Sequence, residues 1–265
     1  MGLTDKRLGM IGYGAIGHAI VERLAAEGRL ANLAGILVRS DPDHDPGVAV
    51  LRDLGALLAL KPDIVIEAAG HQAVHEFGPA ILQVGTDLII AAVGALADRD
   101  LSRRLETAEG GGGKAIIPPG AIAGLDGLIA ARIAGLARVV YTSTKPPHAW
   151  RGTRAEQAID LDHAEDEVVF FTGSARQAAR DYPQNANVSA AIAIAGLGFE
   201  NTEVRLVSSR KVADPLGVIE ANGAFGTFRF EILALASPSN PKTSALTAYS
   251  LLETARIGIG IPAFR

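Results

Sequence analysis

Over the first 117 residues, short apolar runs alternate with stretches whose apolar positions recur every three or four residues. "LGMIGYG" is an apolar run that breaks at glycine. "AIGHAIVERLAAEG" follows it, with Ile16, Ile20, Leu24 and Ala25 at helical spacing and Gly28 as a stop. "LAGILVRS", "DIVIEAAG", "TDLIIAAVGAL" and "KAIIPPG" continue the series of strands. "GVAVLRDLGALLAL", "HQAVHEFGPAILQVG" and residues 101–109 supply the helices between them. Apolar strands alternating with amphipathic helices predict an open α/β domain, a parallel sheet covered on both faces, over residues 1–117.

Beyond "PPGAIAGLDGLIAARIAG", a loop and a helix, the period changes. "ARVVYTSTKPP", "DEVVFFTG", "TEVRLVSS" and "GTFRFEILALA" alternate as half-buried strands do, and in the last Phe228, Phe230 and Ile232 oppose Arg229 and Glu231. "KVADPLGVIEANGAFG" leads into a further strand and a glycine-rich turn. The helices "SARQAARDYP" and "NVSAAIAIAGLG" interrupt the strands. The pattern predicts a second, α+β domain at 118–239 with a mostly antiparallel sheet. In the closing stretch, Asn240 is suited to cap a helix and Pro241 to its first turn. That helix should run to Arg256, with 240–265 packing back on the first domain. The apolar face of Phe228, Phe230 and Ile232 needs cover, which predicts a homodimer.

Composition narrows the function. The 265 residues are 48% hydrophobic, enough for one large core or two modest ones. A net charge of -4 without a long basic run argues against nucleic acid as a partner. The absence of cysteine removes disulfides, thiolate metal sites and cysteine nucleophiles, and fits a reducing cytoplasm. No apolar run reaches the roughly 20 residues that span a bilayer, and "MGLTDKRLGM" lacks the apolar core of a signal peptide.

Gly12, Gly14 and Gly17 form G-x-G-x-x-G between the first strand and the first helix, the context in which this string binds a dinucleotide. With Ala15 and Ile16 they place backbone N–H groups and the positive end of a helix dipole beside a pyrophosphate. At the end of the second strand, where NAD enzymes tend to carry an acid, stand Arg39 and Ser40, which favour acceptance of NADP over strict use of NAD. His71 follows the third strand at the edge where such sheets bind ligands, and His148 lies in the irregular "KPPHAW". His71 and His75 are one helical turn apart, but no further clustered ligand makes a metal site of them. Asn185, Asn187 and Ser189 suit helix caps, and Asn187 is alternatively placed to meet a nicotinamide carboxamide or a substrate carboxylate.

"IGYGAIG", "PPGAIAGLDGL", "TKPPHAWRGT", "YPQNANVSAAIAIAGLGFENTEVRL", "GAFGTFRFEI" and "NPKTSALTA" together resemble the L-aspartate dehydrogenase family, in order and from about residue 8 to 250. The resemblance implies a homodimer that oxidises L-aspartate to iminoaspartate, which hydrolyses to oxaloacetate and ammonia, or runs the reductive amination. Iminoaspartate also feeds NAD biosynthesis. It further implies that Ala121 and Asn187 contact the cofactor. The family's catalytic histidine, thirty residues after Asn187, falls on Gly217, and Pro215 replaces the asparagine of the same pattern. His71, His148 and Lys145 are then the candidates for a substitute acid/base. Three readings stand: an aspartate dehydrogenase, altered or slow; an imine reductase or dehydrogenase on another small amino or keto compound; and a weakly catalytic NAD(P)-binding sensor.

Overall fold

Leu8–Ile11 (β1) is buried over all four residues because it runs through the middle of a sheet. A computed structural model of the chain describes residues 6–163, 166–237 and 240–264, and their side chains except those of 184, 236, 237 and 240–243. The chain divides into two units, one running to Gly120 and resuming at Leu246, the other spanning Ala121–Ala245.

In the first unit β1 is followed by Ala15–Ala26 (α1), Leu33–Leu37 (β2), Ala49–Leu51 (β3) and Leu54–Ala59 (α2). Ile64–Glu67 (β4), His71–Gln83 (α3), Asp87–Ile90 (β5), Arg99–Ala108 (α4) and Ala115–Ile117 (β6) complete the series. The strands lie in the order β3-β2-β1-β4-β5-β6, all parallel. This is the doubly wound order whose first half reverses direction beside β1.

The stretch "GVAVLRDLGALLAL" divides into β3 and α2, because Asp53 stops the strand and caps the helix by accepting from Ala56 N at 2.8 Å. "TDLIIAAVGAL" is strand only to Ile90, and Val93–Ala97 is a buried 3₁₀ turn. The N–H of Ala92 turns to Glu67 Oε2 at 2.9 Å instead of extending the ladder.

The second unit contains Leu125–Ile133 (α5), Leu136–Lys145 (β7), Ala155–Ala158 (α6), Glu167–Ser174 (β8), Ala175–Asp181 (α7), Ala186–Ala195 (α8) and Gly198–Asn201 (α9). Thr202–Ser209 (β9), Leu216–Gly223 (β10) and Gly226–Leu233 (β11) follow, then the short pair Ala236–Ser237 (β12) and Asn240–Ser244 (β13). Its main sheet has the order β11-β10-β7-β9-β8 and is antiparallel except between β7 and β9. One face, carrying Val139, Tyr141, Ile219 and Leu206, is buried. α8 ends over that face, where a Cβ at Gly196 would stand 3.3 Å from Val139 Cγ2. At the start of α5, Gly124 has φ +84 and lies directly against the Phe230 ring. Part of the apolar face of β11 is therefore covered from within the unit.

The closing helix starts later than its pattern predicts. Asn240 does not cap it: Asn240–Ser244 is strand β13, with Asn240 opposite Ser237, and the helix is Ala245–Ile257 (α10). Pro241 explains the change, since the residue before a proline is pushed toward extended backbone. The side chain of Asn240 lies outside the described residues. α10 then packs into the first unit, where Ala248, Leu251, Leu252 and Ala255 join the cluster of Met10, Ile20 and Leu24. Arg256 near its end forms an ion pair with Glu27, the residue capping the C-terminus of α1. Ile261–Pro262 (β14) finally pairs antiparallel with β6 and covers that sheet edge.

Leu251 is fully buried in that cluster, so Leu251→Ala should cost about 2–5 kcal/mol of unfolding free energy, from lost burial and the cavity left behind. Denaturant unfolding checks it, and a loss below about 1 kcal/mol would show that α10 is peripheral to the core.

Candidate functional site

β1 ends at Ile11, and the turn to α1 is shaped by contacts that admit no side chain at two of its three glycines. Gly12 has φ +93, and a Cβ there would stand 2.7 Å from the carbonyl oxygen of Ala68. A Cβ on Gly17 would meet Gly12 O at 2.6 Å. Gly14 differs: it is exposed, and nothing lies within 4 Å of the place its Cβ would take. α1 begins immediately after it, with no side-chain cap and no acid in its first turn. The N–H groups around Ala15 and Ile16 thus border open space at the positive end of a twelve-residue helix. The space at Gly14 is the cradle a dinucleotide pyrophosphate requires, and the residues present fit that group.

Arg39 and Ser40 are both exposed past the end of β2. The nearby acid, Asp41, is occupied: it forms an ion pair with Arg52, whose guanidinium also donates to Val38 O at 3.3 Å. Arg39 has no ion pair among the described residues. The acid nearest Arg39 along this stretch is engaged, while Arg39 itself stands exposed past the end of β2.

The floor beside Gly12 is built by Glu67, which the sequence pattern did not single out. Its carboxylate is 1% exposed and accepts from Ala69 N at 2.7 Å, Gly70 N at 2.6 Å and Ala92 N at 2.9 Å. Burial pushes its carboxyl above the ordinary range, and these N–H groups pull it back. The only signal in sequence was an acid ending a strand that was otherwise apolar. His71 begins α3 just beyond Gly70 and is half-buried. His75, on the same helix, faces Asp98 with Nε2 at 3.8 Å from Oδ2. No group of three potential metal ligands occurs among the described residues.

In the second unit Ala121 opens the chain and is half-buried, while Asn187 is exposed in the first turn of α8. His148 is exposed in the short turn Pro147–Trp150. Asn185 precedes α8 without capping it, because its Oδ1 accepts from Lys145 Nζ at 2.5 Å. Ser189 is no cap either; its hydroxyl donates to Ala186 O at 2.9 Å. Lys145 Nζ also lies 5.1 Å from the centre of the Trp150 ring, a buried indole whose Nε1 donates to Val207 O at 3.0 Å. Burial brings the Lys145 ammonium down to about 8.

Lys145 shares a face of β7 with Tyr141 and Ser143, as alternate residues do, and Ser143 stands opposite Gly217 on β10. A Cβ at Gly217 would stand 3.3 Å from Ile122 Cδ1 and 3.4 Å from Tyr141 Oη. Both are ordinary or slightly tight contacts, so the position is open enough for a side chain. Burial pushes the Tyr141 hydroxyl up to about 12, and it is hydrogen-bonded to Ser143. Tyr141 keeps its proton at neutral pH; Lys145 exchanges its own near pH 8. The structure therefore brings Tyr141, Ser143, Lys145 and Gly217 onto one face, and leaves His148 in solvent.

Both halves of the chain match known protein families. Residues 12–119 match the family described as "Homoserine dehydrogenase, NAD binding domain", and residues 126–257 match "Aspartate dehydrogenase, C-terminal". The L-aspartate dehydrogenase of Pseudomonas aeruginosa is 42% identical over 92% of this chain and 94% of its own. That of Ruegeria pomeroyi is 40% identical over 94% of this chain and 91% of its own. The crystal structure of aspartate dehydrogenase from Thermotoga maritima superposes with a TM-score of 0.74, at 26% identity and 94% coverage of each chain.

The glycine turn and the end of β2 each yield an expected outcome. Gly14→Val should fold normally and lose binding of reduced cofactor in a fluorescence titration, because its side chain takes the space left for the pyrophosphate. Arg39→Asp should weaken NADPH more than NADH, and equal losses would make Arg39 a bystander.

Proposed function

This chain belongs to the aspartate dehydrogenase family, and from that premise we propose that it is a cytoplasmic, homodimeric L-aspartate dehydrogenase whose proton-transfer group is Lys145. Its cofactor is NAD or NADP, and its reaction is that of an NAD(P)-dependent amino-acid oxidoreductase. We read Gly12, Gly14, Ala15, Ile16 and Gly17 as the phosphate turn. Arg39 and Ser40 are the 2′-phosphate contacts in this reading, and Ala121 and Asn187 contact the nicotinamide half.

The observation that carries the proton-transfer assignment is the polar face of β7 beside Gly217. Oxidation of an α-ammonium group needs two departures from the substrate: a proton from nitrogen and a hydride from Cα. A nicotinamide cofactor held at the glycine turn would supply the hydride acceptor. The proton needs a base on the protein, and the ladder register supports Lys145. Its Cα is a diagonal neighbour of Gly217, and such neighbours stand roughly 7–8 Å apart, within the span of a lysine side chain. Asn185 fixes the nitrogen, and burial supplies neutral amine near pH 8. In the reductive direction the same ammonium returns the proton.

Gly217 also favours a second reading, a dehydrogenase for another small amino acid. Absorbance at 340 nm with oxaloacetate, ammonia and each reduced cofactor separates the two.

Lys145→Met should lower kcat for aspartate oxidation by about 10²–10⁴-fold with cofactor binding retained. In the unaltered protein kcat should rise with pH through about 8, as Lys145 loses its proton, and the variant should lack that limb. Gly217→His, alone or with Pro215→Asn, should restore turnover in the Lys145→Met background. An unchanged kcat in Lys145→Met, with a collapse in His71→Ala or His148→Ala, would move the role to that histidine.

Leu233 and Leu235 are 63% and 69% exposed at and beyond the end of the edge strand β11. A twofold partner would cover them, so light scattering at micromolar concentration should give twice the monomer mass. Leu233→Glu should shift it toward the monomer.

A further inference from the structure

Glu67 ends β4 as the most deeply buried charged side chain among the described residues. A carboxylate donates nothing and accepts through both oxygens, and each oxygen of Glu67 serves a different loop. Oε1 takes the N–H groups of Ala69 and Gly70 before α3, and Oε2 takes that of Ala92 after β5. Burying such a group is unfavourable unless its lone pairs are filled, so the three bonds and the position of both loops stand or fall together. The same loop supports the phosphate turn from below. Ala68 N donates to Ile11 O at 2.8 Å, and the Ala68 carbonyl is what leaves no room for a Cβ at Gly12.

The strand order assigns these loops to one half of a dinucleotide. The loop after β2 lies on one side of the β1 turn and serves the adenosine ribose in this fold. The loops after β4 and β5 lie on the other side, where the nicotinamide half must pass. We propose that Glu67 is a positioning residue that joins the 68–70 and 91–92 loops into the floor under the nicotinamide half of the cofactor, leaving the adenosine half to other residues. This rests on the cofactor reading given above.

The test compares the tighter-binding reduced cofactor with its adenosine half, 2′,5′-ADP or ADP, on the unaltered protein and on Glu67→Gln. Glutamine keeps the length but has one acceptor oxygen, so its amide opposes the N–H groups of one loop. Cofactor affinity should fall at least about tenfold, as expected for lost hydrogen bonds to a charged group, while the adenosine half binds within about twofold of normal. In turnover the cofactor KM should rise by more than kcat falls. Unchanged cofactor affinity, or an equal loss for both ligands, overturns the assignment. Should the variant not fold, amide exchange on the unaltered protein decides. Whole cofactor should slow exchange at Ala69, Gly70 and Ala92 and the adenosine half should not; equal protection by both overturns it. An unaltered protein that binds neither ligand would sink the cofactor reading itself, a result distinct from an indifferent Glu67→Gln.

Discussion

The carboxylate of Glu67 is the contact from which the binding edge of the first unit is organised. Without it the loops after β4 and β5 would each leave backbone N–H groups to be satisfied separately, and neither loop would have reason to keep its place relative to the other. At the start of the loop after β4 the Ala68 carbonyl, carried by the ladder to Ile11, stands against Gly12 at positive φ, and α1 starts where Gly14 faces open space. An interaction usually judged by its contribution to stability acts here mainly on geometry. A buried charge is weak grounds for stability and better grounds for a unique arrangement.

The second unit solves a different problem. Its sheet buries one face under helices, yet that face carries Tyr141, Ser143 and Lys145 in sequence along β7. Tyr141 and Lys145 each have a polar partner, while burial sets the protonation of both. Ser143 engages the Tyr141 hydroxyl, which burial holds protonated, and Asn185 engages Lys145, which burial makes easier to deprotonate. Asn185 is spent on this contact and leaves α8 without a side-chain cap, a cost of roughly 1 kcal/mol against the usual arrangement. A helix start that forgoes its cap to hold an ammonium is a local rule broken at the position where we propose proton transfer, and such breaks are expected at functional sites.

The alternation of periods made the architecture legible: every strand of the parallel sheet before residue 118 lies in an apolar run read as strand except Ala49–Leu51, whose apolar residues merge into the helical spacing of "GVAVLRDLGALLAL" across Arg52 and Asp53 alone. The closing antiparallel strand Ile261–Pro262 was invisible because two residues display no period. Asn240 and Pro241 misled because cap and proline signals are shared by helix starts and extended turns, and pairing with Ser237 decided between them. Around the site, the glycine turn was legible because its spacing is dictated by backbone contacts a few residues away. Glu67 was not, since the three N–H groups that give it meaning come from residues 2, 3 and 25 positions along the chain. Lys145 was legible only as a candidate, because its burial and its register with Gly217 are properties of the folded sheet.

The replacement of an imidazole by glycine need not leave the chemistry without a base, and the reason is quantitative. A lysine at its ordinary 10.5 is almost wholly protonated at pH 7; brought to about 8, its neutral fraction rises by roughly two orders of magnitude to about one part in ten. Imidazole offers more neutral base at that pH, but an amine at about 8 is the stronger proton acceptor, and the two effects oppose each other in the rate. With Lys145 as the proposed base, the exchange would move the working pH upward rather than abolish turnover. A side chain at Gly217 would stand against Ile122 and Tyr141, so glycine leaves more room there than a histidine would. On the proposed assignment, substrate tolerance and a more alkaline profile would both stem from the same substitution, so the two should be found together.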